Sequence, residues 1–282
     1  MKLALLQYSC TDDVEKNVTD ILSRISEAAG RGADLVVLPE LSQTPYFCQS
    51  VDPKAFRFAE SIPGPTIRKI SESAVENGVH IVVPLFEKAT PGIYFNALAL
   101  LMPDGSLAGV YRKMHIPEDP GFHEKYYFTP GDKGYRSFDT PWGRVGTLIC
   151  WDQWYPEAAR ITAMTGAQLL LYPTAIGTLK DEGEAERERF HSAWQLIQRS
   201  HAVANGCFVA AVNRCGKEGG TTFWGHSFVS DPFGRIIEEA GDDEEILVAD
   251  IDLQSVEKQR QEWPFFRDRR IDSYRPLLRR ML

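Results

Sequence analysis

The chain repeats one order of strand-forming and helix-forming segments, and this repetition constrains its fold more than any other feature. In the first half, KLALLQY is followed by an amphipathic stretch, ADLVVLPE, a second amphipathic stretch, HIVVPLF and the hairpin-like YFNALALLMPDGSLAGVY. The second half runs GRVGTLICW, a helical stretch over 156–165, AQLLLYPT, another over 187–205, CFVAAVN and the hairpin-like GHSFVSDPFGRIIEE. Each half can cover one sheet face with its own helices and needs a partner sheet for the other. The expected fold is therefore α/β, a four-layer αββα sandwich of two similar halves over residues 1–254, with 255–282 left over as an arm.

Spacing within the segments supports the helices. Val14, Val18, Ile21, Leu22, Ile25, Ala28 and Ala29 share one helical face, with Asp12 as the expected N-cap and Glu15 three residues on. Phe190, Ala193, Trp194, Ile197, His201 and Ala204 form a second stripe that stops at Gly206, where a left-handed C-cap belongs. His191 and His201 lie beside or on that stripe, and lone helical histidines are more often hydrogen-bonded structural residues than acid–base groups.

Composition narrows the functional classes. The 282 residues are 43% hydrophobic and 25% charged, enough to bury a large core. A net charge of −8 opposes nucleic-acid binding, which needs clustered Lys and Arg, and RDRR at 267–270 is too short to reverse it. No apolar run reaches membrane-spanning length, so no membrane partner is expected, and KLALLQYS turns polar too early for a signal peptide. The five cysteines, at 10, 48, 150, 207 and 215, form no C-x-x-C pair and no zinc spacing. They point to the reducing cytoplasm, with neither metal nor cofactor expected.

Three reactive side chains stand at strand ends. Cys150 lies where the apolar run of RVGTLICW stops and a helix-like stretch begins, beside backbone N–H groups able to bind an oxyanion. Glu40 follows the apolar run Leu35 to Leu38 and Pro39, which ends the strand and lifts the carboxylate to the sheet rim. Lys113 closes a strand that leaves the Pro-Asp-Gly turn at 103–105. Taken singly, each is as ordinary as a small buried thiol or a solvated charge.

Together, LVVLPE, YRKMHIP and LICWDQWYPE, in this order and at these intervals, resemble the three signature segments of the nitrilase, or carbon-nitrogen hydrolase, superfamily. The resemblance covers nearly the whole chain. It implies a triad at Glu40, Lys113 and Cys150, the same αββα sandwich, and a homodimer or higher homo-oligomer. FHEKYYFTPGD matches the place of a second glutamate, Glu124, which would hold Lys113 and orient the substrate; Glu118 is the competing carboxylate. Substrate-binding positions are implied at Tyr46, Trp151, Thr174 and Ala175. Within the superfamily, HIPEDPGFHEKYYFTPGDKGY, AIG, HAVANG and FWGHSFVSDPFG resemble the N-carbamoylputrescine amidases of the polyamine pathway from agmatine. One departure stands out: many of these read S-E-P after AIG, where this chain has Thr178, Leu179 and Lys180.

The chemistry implied is hydrolysis of a small amide or ureide through a thiol ester. Cys150 is the expected nucleophile, Glu40 the base, and Lys113 with the backbone N–H of Trp151 the oxyanion donors. A cationic ureide needs an apolar tube ending in carboxylate or aromatic faces. An anionic substrate, an ω-amide or an N-carbamoyl amino acid, needs an arginine, and Arg187, Arg189 and Arg214 are nearest in sequence. A catalytically silent binding protein on the same scaffold is the alternative of another class.

The arm follows the last strand-like run, ILVADID, and continues neither half. Trp263, Phe265, Phe266, Tyr274, Leu277 and Leu278 are interleaved with arginines and broken by Pro264 and Pro276. This composition suits an arm lying on a partner subunit, with folding back on its own subunit as the alternative.

Overall fold

The computed structural model describes residues 1–282. The first half supplies β1 (Lys2–Gln7), α1 (Val14–Gly30), β2 (Leu35–Val37), α2 (Pro65–Asn77), β3 (His80–Thr90), β4 (Ile93–Leu101) and β5 (Leu107–Arg112). β6 (Arg136–Thr140), β7 (Gly143–Thr147), α3 (Pro156–Met164), β8 (Leu169–Pro173), β9 (Gly177–Leu179), α4 (Glu184–Asn205) and β10 (Phe208–Val212) follow. The chain then forms β11 (Cys215–Glu218), β12 (Thr221–Trp224), β13 (Phe228–Ser230), β14 (Ile236–Glu239), β15 (Glu245–Asp250) and α5 (Ser255–Glu262).

Two six-stranded sheets result, ordered β15-β1-β2-β3-β4-β5 and β14-β13-β10-β8-β7-β6. β1, β2 and β3 pair in parallel, and β4 and β5 add an antiparallel hairpin. β7, β8 and β10 with β13 and β14 reproduce that pattern, so the expected repeat exists in topology. Two edge strands lie outside the repeat as read from the sequence. β6 pairs antiparallel with β7, and β15 crosses back to pair antiparallel with β1 of the other sheet.

Alternation along the strands sets the layers. Leu3, Leu5, Leu35 and Val37 share a core with Val145, Leu169 and Val209 of the second sheet. Their sequence neighbours Ala4, Leu6, Val36 and Leu38 pack instead with Ile21 and Ile25 of α1 and Ile67 and Ile70 of α2. On the other side, Ala158 and Ala159 of α3 and Trp194 and Ala202 of α4 join the second sheet's core. The fold is thus the four-layer αββα sandwich, and each fully buried Leu or Ile contributes roughly 1.5–3 kcal/mol to it.

The local details depart from expectation in three places. Asp13, not Asp12, caps α1, accepting the Lys16 N–H at 3.0 Å, because the cap must sit one residue before the first helical position, Val14. α4 starts at Glu184, earlier than 187, since the Glu186 carboxylate accepts the Gly183 N–H at 3.2 Å and acidic residues suit a helix start. Gly206 does end it in the left-handed region, with φ 52°. The charged run after Ala175 contains a strand, β9, which joins β11 and β12 in a small third sheet.

The arm begins on its own subunit. Val256 of α5 is buried, and Arg260 donates to the carbonyls of Ala167 and Asn205. Phe266 lies under the guanidinium groups of Arg160 and Arg260. Trp263, Phe265, Tyr274, Leu277 and Leu278 remain exposed.

Candidate active site

The ends of β2, β5 and β7 converge on one side of the sandwich and bring Glu40, Lys113 and Cys150 together with Glu124 from the long loop after β5. All four are buried. The Lys113 ammonium bridges two carboxylates, at 2.7 Å from Glu40 Oε1 and 2.6 Å from Glu124 Oε2. Asn96 Nδ2 donates to Glu40 Oε1 at 2.7 Å, and the Tyr46 hydroxyl donates to Glu124 Oε1 at 2.8 Å. Glu40 Oε2 has no partner in this network, which leaves it free to accept a proton.

Backbone strain at Cys150 is held in place by one buried carboxylate. Cys150 has φ 41°, a region that non-glycine residues adopt at a cost of order 1–3 kcal/mol. Asp152, two residues on, accepts from Ile149 N at 3.1 Å, His115 N at 3.0 Å and the Tyr111 hydroxyl at 2.6 Å. It thereby ties the turn to β5 and to the segment that follows Lys113. On the other side, the buried guanidinium of Arg214 donates to the carbonyls of Glu40, Leu41 and Thr44 while pairing with Glu218. That holds the loop carrying Glu40.

Burial governs the protonation states. It raises the Cys150 thiol well above its usual range, and the neighbouring Glu40 charge adds to this, so the resting sulfur carries its proton. Burial opposes the Lys113 ammonium, but the Glu124 and Glu40 carboxylates outweigh it and push Lys113 upward, which keeps it cationic. Burial also lifts Glu124 to about 7, against the opposing charge of Lys113.

Cys150 opens into a cavity of about 470 Å³. Trp151, Trp154, Phe122, Leu179, Phe190 and Trp224 make much of its wall. Asp119 and Glu182 also line it, and no Lys or Arg does. One oxygen of Glu182 is held by the Leu179 N–H at 2.7 Å.

Of the residues singled out in the sequence, Glu40, Lys113, Cys150, Glu124, Trp151 and Ala175 meet here, and others do not. Trp151 and Ala175 line the cavity, with the Ala175 carbonyl 4.0 Å from Cys150 Sγ. Tyr46 does not line it, because its buried hydroxyl is committed to Glu124 behind the site. Thr174 does not either; it is fully buried, with its N–H bonded to the Val212 carbonyl. Glu118 is exposed and paired with His123. Arg187 pairs with Asp242, Arg189 lies over Phe190 and Arg214 is internal, so none supplies a pocket cation. His201 Nε2 lies 2.9 Å from the Gln153 carbonyl, a structural contact. Asn96 and Asp152 were missed. The available signals were a single amide inside the apolar run IYFNALALL and a carboxylate in the turn after Cys150.

All five cysteines are free and buried, and no helix is long and apolar enough to cross a membrane. Known proteins resemble the chain along its full length. An N-carbamoylputrescine amidase of Solanum lycopersicum is 42% identical over 98% of this chain and 94% of its own. A citrullinase of Francisella tularensis is 40% identical over 99% of both chains. The crystal structure of a carbon-nitrogen hydrolase from Helicobacter pylori G27 superposes with a TM-score of 0.97 at 45% identity, covering 100% of this chain and 99% of that one. The sequence profile of the family described as carbon-nitrogen hydrolase matches residues 2–261. With that match spanning both halves of the sandwich, the chain belongs to the carbon-nitrogen hydrolase family and is a hydrolase of carbon–nitrogen bonds.

Proposed function

We propose that the protein hydrolyses N-carbamoylputrescine to putrescine, ammonia and carbon dioxide, as a cytoplasmic step of polyamine formation from agmatine. The observation that carries this reading is the charge of the cavity walls: apolar and aromatic side chains, the carboxylates Asp119 and Glu182, and no cation apart from Lys113, which lies behind Cys150 already paired with Glu40 and Glu124. A ureide with four methylenes and a terminal ammonium suits such walls, since the stem is apolar and the head seeks carboxylates or aromatic faces.

The proposed chemistry uses the buried network directly. Glu40 Oε2 takes the thiol proton as Cys150 Sγ adds to the ureido carbon. The oxyanion forms against the Lys113 ammonium and the Trp151 N–H. Collapse expels one nitrogen, which receives the proton from Glu40, and leaves an acyl group on Cys150. Water then loses a proton to Glu40 and adds to the thiol ester, the departing thiolate is reprotonated, and the carbamic acid released breaks its remaining C–N bond to give carbon dioxide and the second amine. Glu124, fixed by Tyr46, keeps Lys113 in position throughout.

Citrulline differs from N-carbamoylputrescine by one added carboxylate. Placing that anion in a cavity with two carboxylates and no cation leaves it unpaired, at a cost of about 1–3 kcal/mol or more, roughly 10- to 100-fold in kcat/KM. The same argument weighs against ω-amides and N-carbamoyl amino acids. The test is ammonia release from N-carbamoylputrescine, citrulline, N-carbamoyl-β-alanine and glutaramate. The cationic ureide is expected to lead by at least tenfold, and equal or faster turnover of an anionic substrate would sink the assignment. Thiol alkylation that left every activity unchanged would favour the silent binding protein.

A homodimer through the arm belongs to the same reading. Support comes from the exposed Trp263, Leu277 and Leu278 and from a groove of about 710 Å³ between α4 and the arm, lined by Arg199, Phe233, Phe265 and Tyr274 among others. The five free cysteines support a reducing compartment.

A further inference from the structure

We propose that His191, His226 and Glu239 form a binding site for a zinc-class divalent metal ion beside the Trp224 wall of the substrate cavity. The three residues come from α4, the turn between β12 and β13, and the end of β14. Each offers one ligand atom, and these atoms lie within 4.8 Å of one another. Tetrahedral zinc, with bonds of about 2.0–2.2 Å, holds its ligand atoms about 3.3–3.5 Å apart. Closing that gap asks only for side-chain torsions, and Glu239 is exposed and able to make them.

The surroundings are arranged as metal-bound histidines require. His226 Nδ1 lies 3.1 Å from Glu239 Oε1, while its Nε2 lies 2.9 Å from Asp242 Oδ1. With Nδ1 on the metal, Nε2–H donates to Asp242, which fixes the tautomer and raises the basicity of the ligand. Asp242 is held in turn by Arg187 at 2.7 Å, and Glu239 receives Gln195 Nε2 at 3.0 Å. His191 Nε2 is shielded from solvent and has no hydrogen-bond partner in the protein. Two carboxylates against one guanidinium leave one negative charge to meet a cation. Two imidazoles and one carboxylate select zinc-class ions over Mg²⁺ or Ca²⁺, which prefer all-oxygen sites.

The position gives the site a consequence. His191 packs against Trp194 and Trp224, at 5.8 and 5.9 Å between ring centres, and Trp224, Phe190 and Ala193 line the substrate cavity. A metal here cross-links α4 to the β13–β14 hairpin next to that wall.

The test is calorimetric titration of zinc chloride into the full chain, stripped with chelator and carrying Cys150→Ala to remove the competing thiol. One zinc per chain is expected, together with a higher melting temperature. His226→Asn, which tolerates the positive φ of 54°, and Glu239→Gln at an exposed position are each expected to weaken binding at least tenfold. Asp242→Asn is expected to weaken it about 10- to 100-fold. No saturable binding in the parent, or equal affinity in His226→Asn and Glu239→Gln, would overturn the proposal and leave His226 as a hydrogen-bonding bridge between two carboxylates.

Discussion

Glu40 divides its oxygens: Oε1 takes Lys113 and Asn96, and Oε2 has no partner, as the proposed proton transfer requires. Cys150→Ala is expected to lose turnover by roughly 10⁴-fold or more while keeping its unfolding midpoint, because it removes the covalent route and little volume. Mass spectrometry of trapped enzyme checks it, and an adduct on Cys10, Cys48, Cys207 or Cys215 would defeat the assignment. Asn96→Leu removes a hydrogen bond to a charged group, worth about 1.5–3 kcal/mol. The expected result is a kcat lower by roughly 10- to 100-fold with KM little changed; steady-state kinetics showing an unchanged kcat would remove Asn96 from the site. Glu124, raised to about 7 in the folded chain, binds its proton more tightly there than when unfolded. Its contribution to stability is therefore complete below its ordinary range near 4.5 and lost as pH rises through about 7. Urea midpoints from pH 4 to 8 should show wild type losing ground to Glu124→Gln as pH rises, and a gap that is constant with pH contradicts this.

At the scale of single elements, helix starts carry the clearest consequence. Asp13 caps α1 and its neighbour Asp12 does not, although both belong to one acidic pair. Asp13→Ala is expected to cost about 1 kcal/mol in urea unfolding. Asp12→Ala should stay within about 0.5 kcal/mol. Equal effects would mean the cap is shared. The helical stripes and Gly206 were legible because a 3.6-residue period and a left-handed stop are local properties. β9 was not legible: Gly177 to Leu179 are too few to show alternation, and they become a strand only by pairing with β12.

For the whole molecule, β15 ties the end of the chain to β1 and so closes the sandwich across its two halves. α5 then docks on its own subunit, while Trp263, Phe265, Tyr274, Leu277 and Leu278 stay exposed and Phe266 packs back under Arg160 and Arg260. Truncation after Glu262 is expected to yield folded monomers, measured by light scattering. Truncation after Asp252 also removes the buried Leu253 and Val256 and is expected to lower stability further. A dimer that survives loss of residues 263–282 would show that the arm is not its interface.

The repeat, the strand ends carrying Glu40, Lys113 and Cys150, and the resemblance that brought in Glu124 were all readable along the chain, because periodicity, chain-breaking prolines and motif spacing are properties of neighbouring residues. The partner of β15, the amide of Asn96 on Glu40, the hold of Asp152 on the Cys150 turn and the meeting of His191 with His226 and Glu239 were not. These join residues far apart in sequence, and their encounter is set by how two sheets and their helices pack. Packing also placed Tyr46 and Thr174 behind the cavity wall rather than on it, and left the cavity without a cation by turning Arg187 and Arg214 toward Asp242 and Glu218.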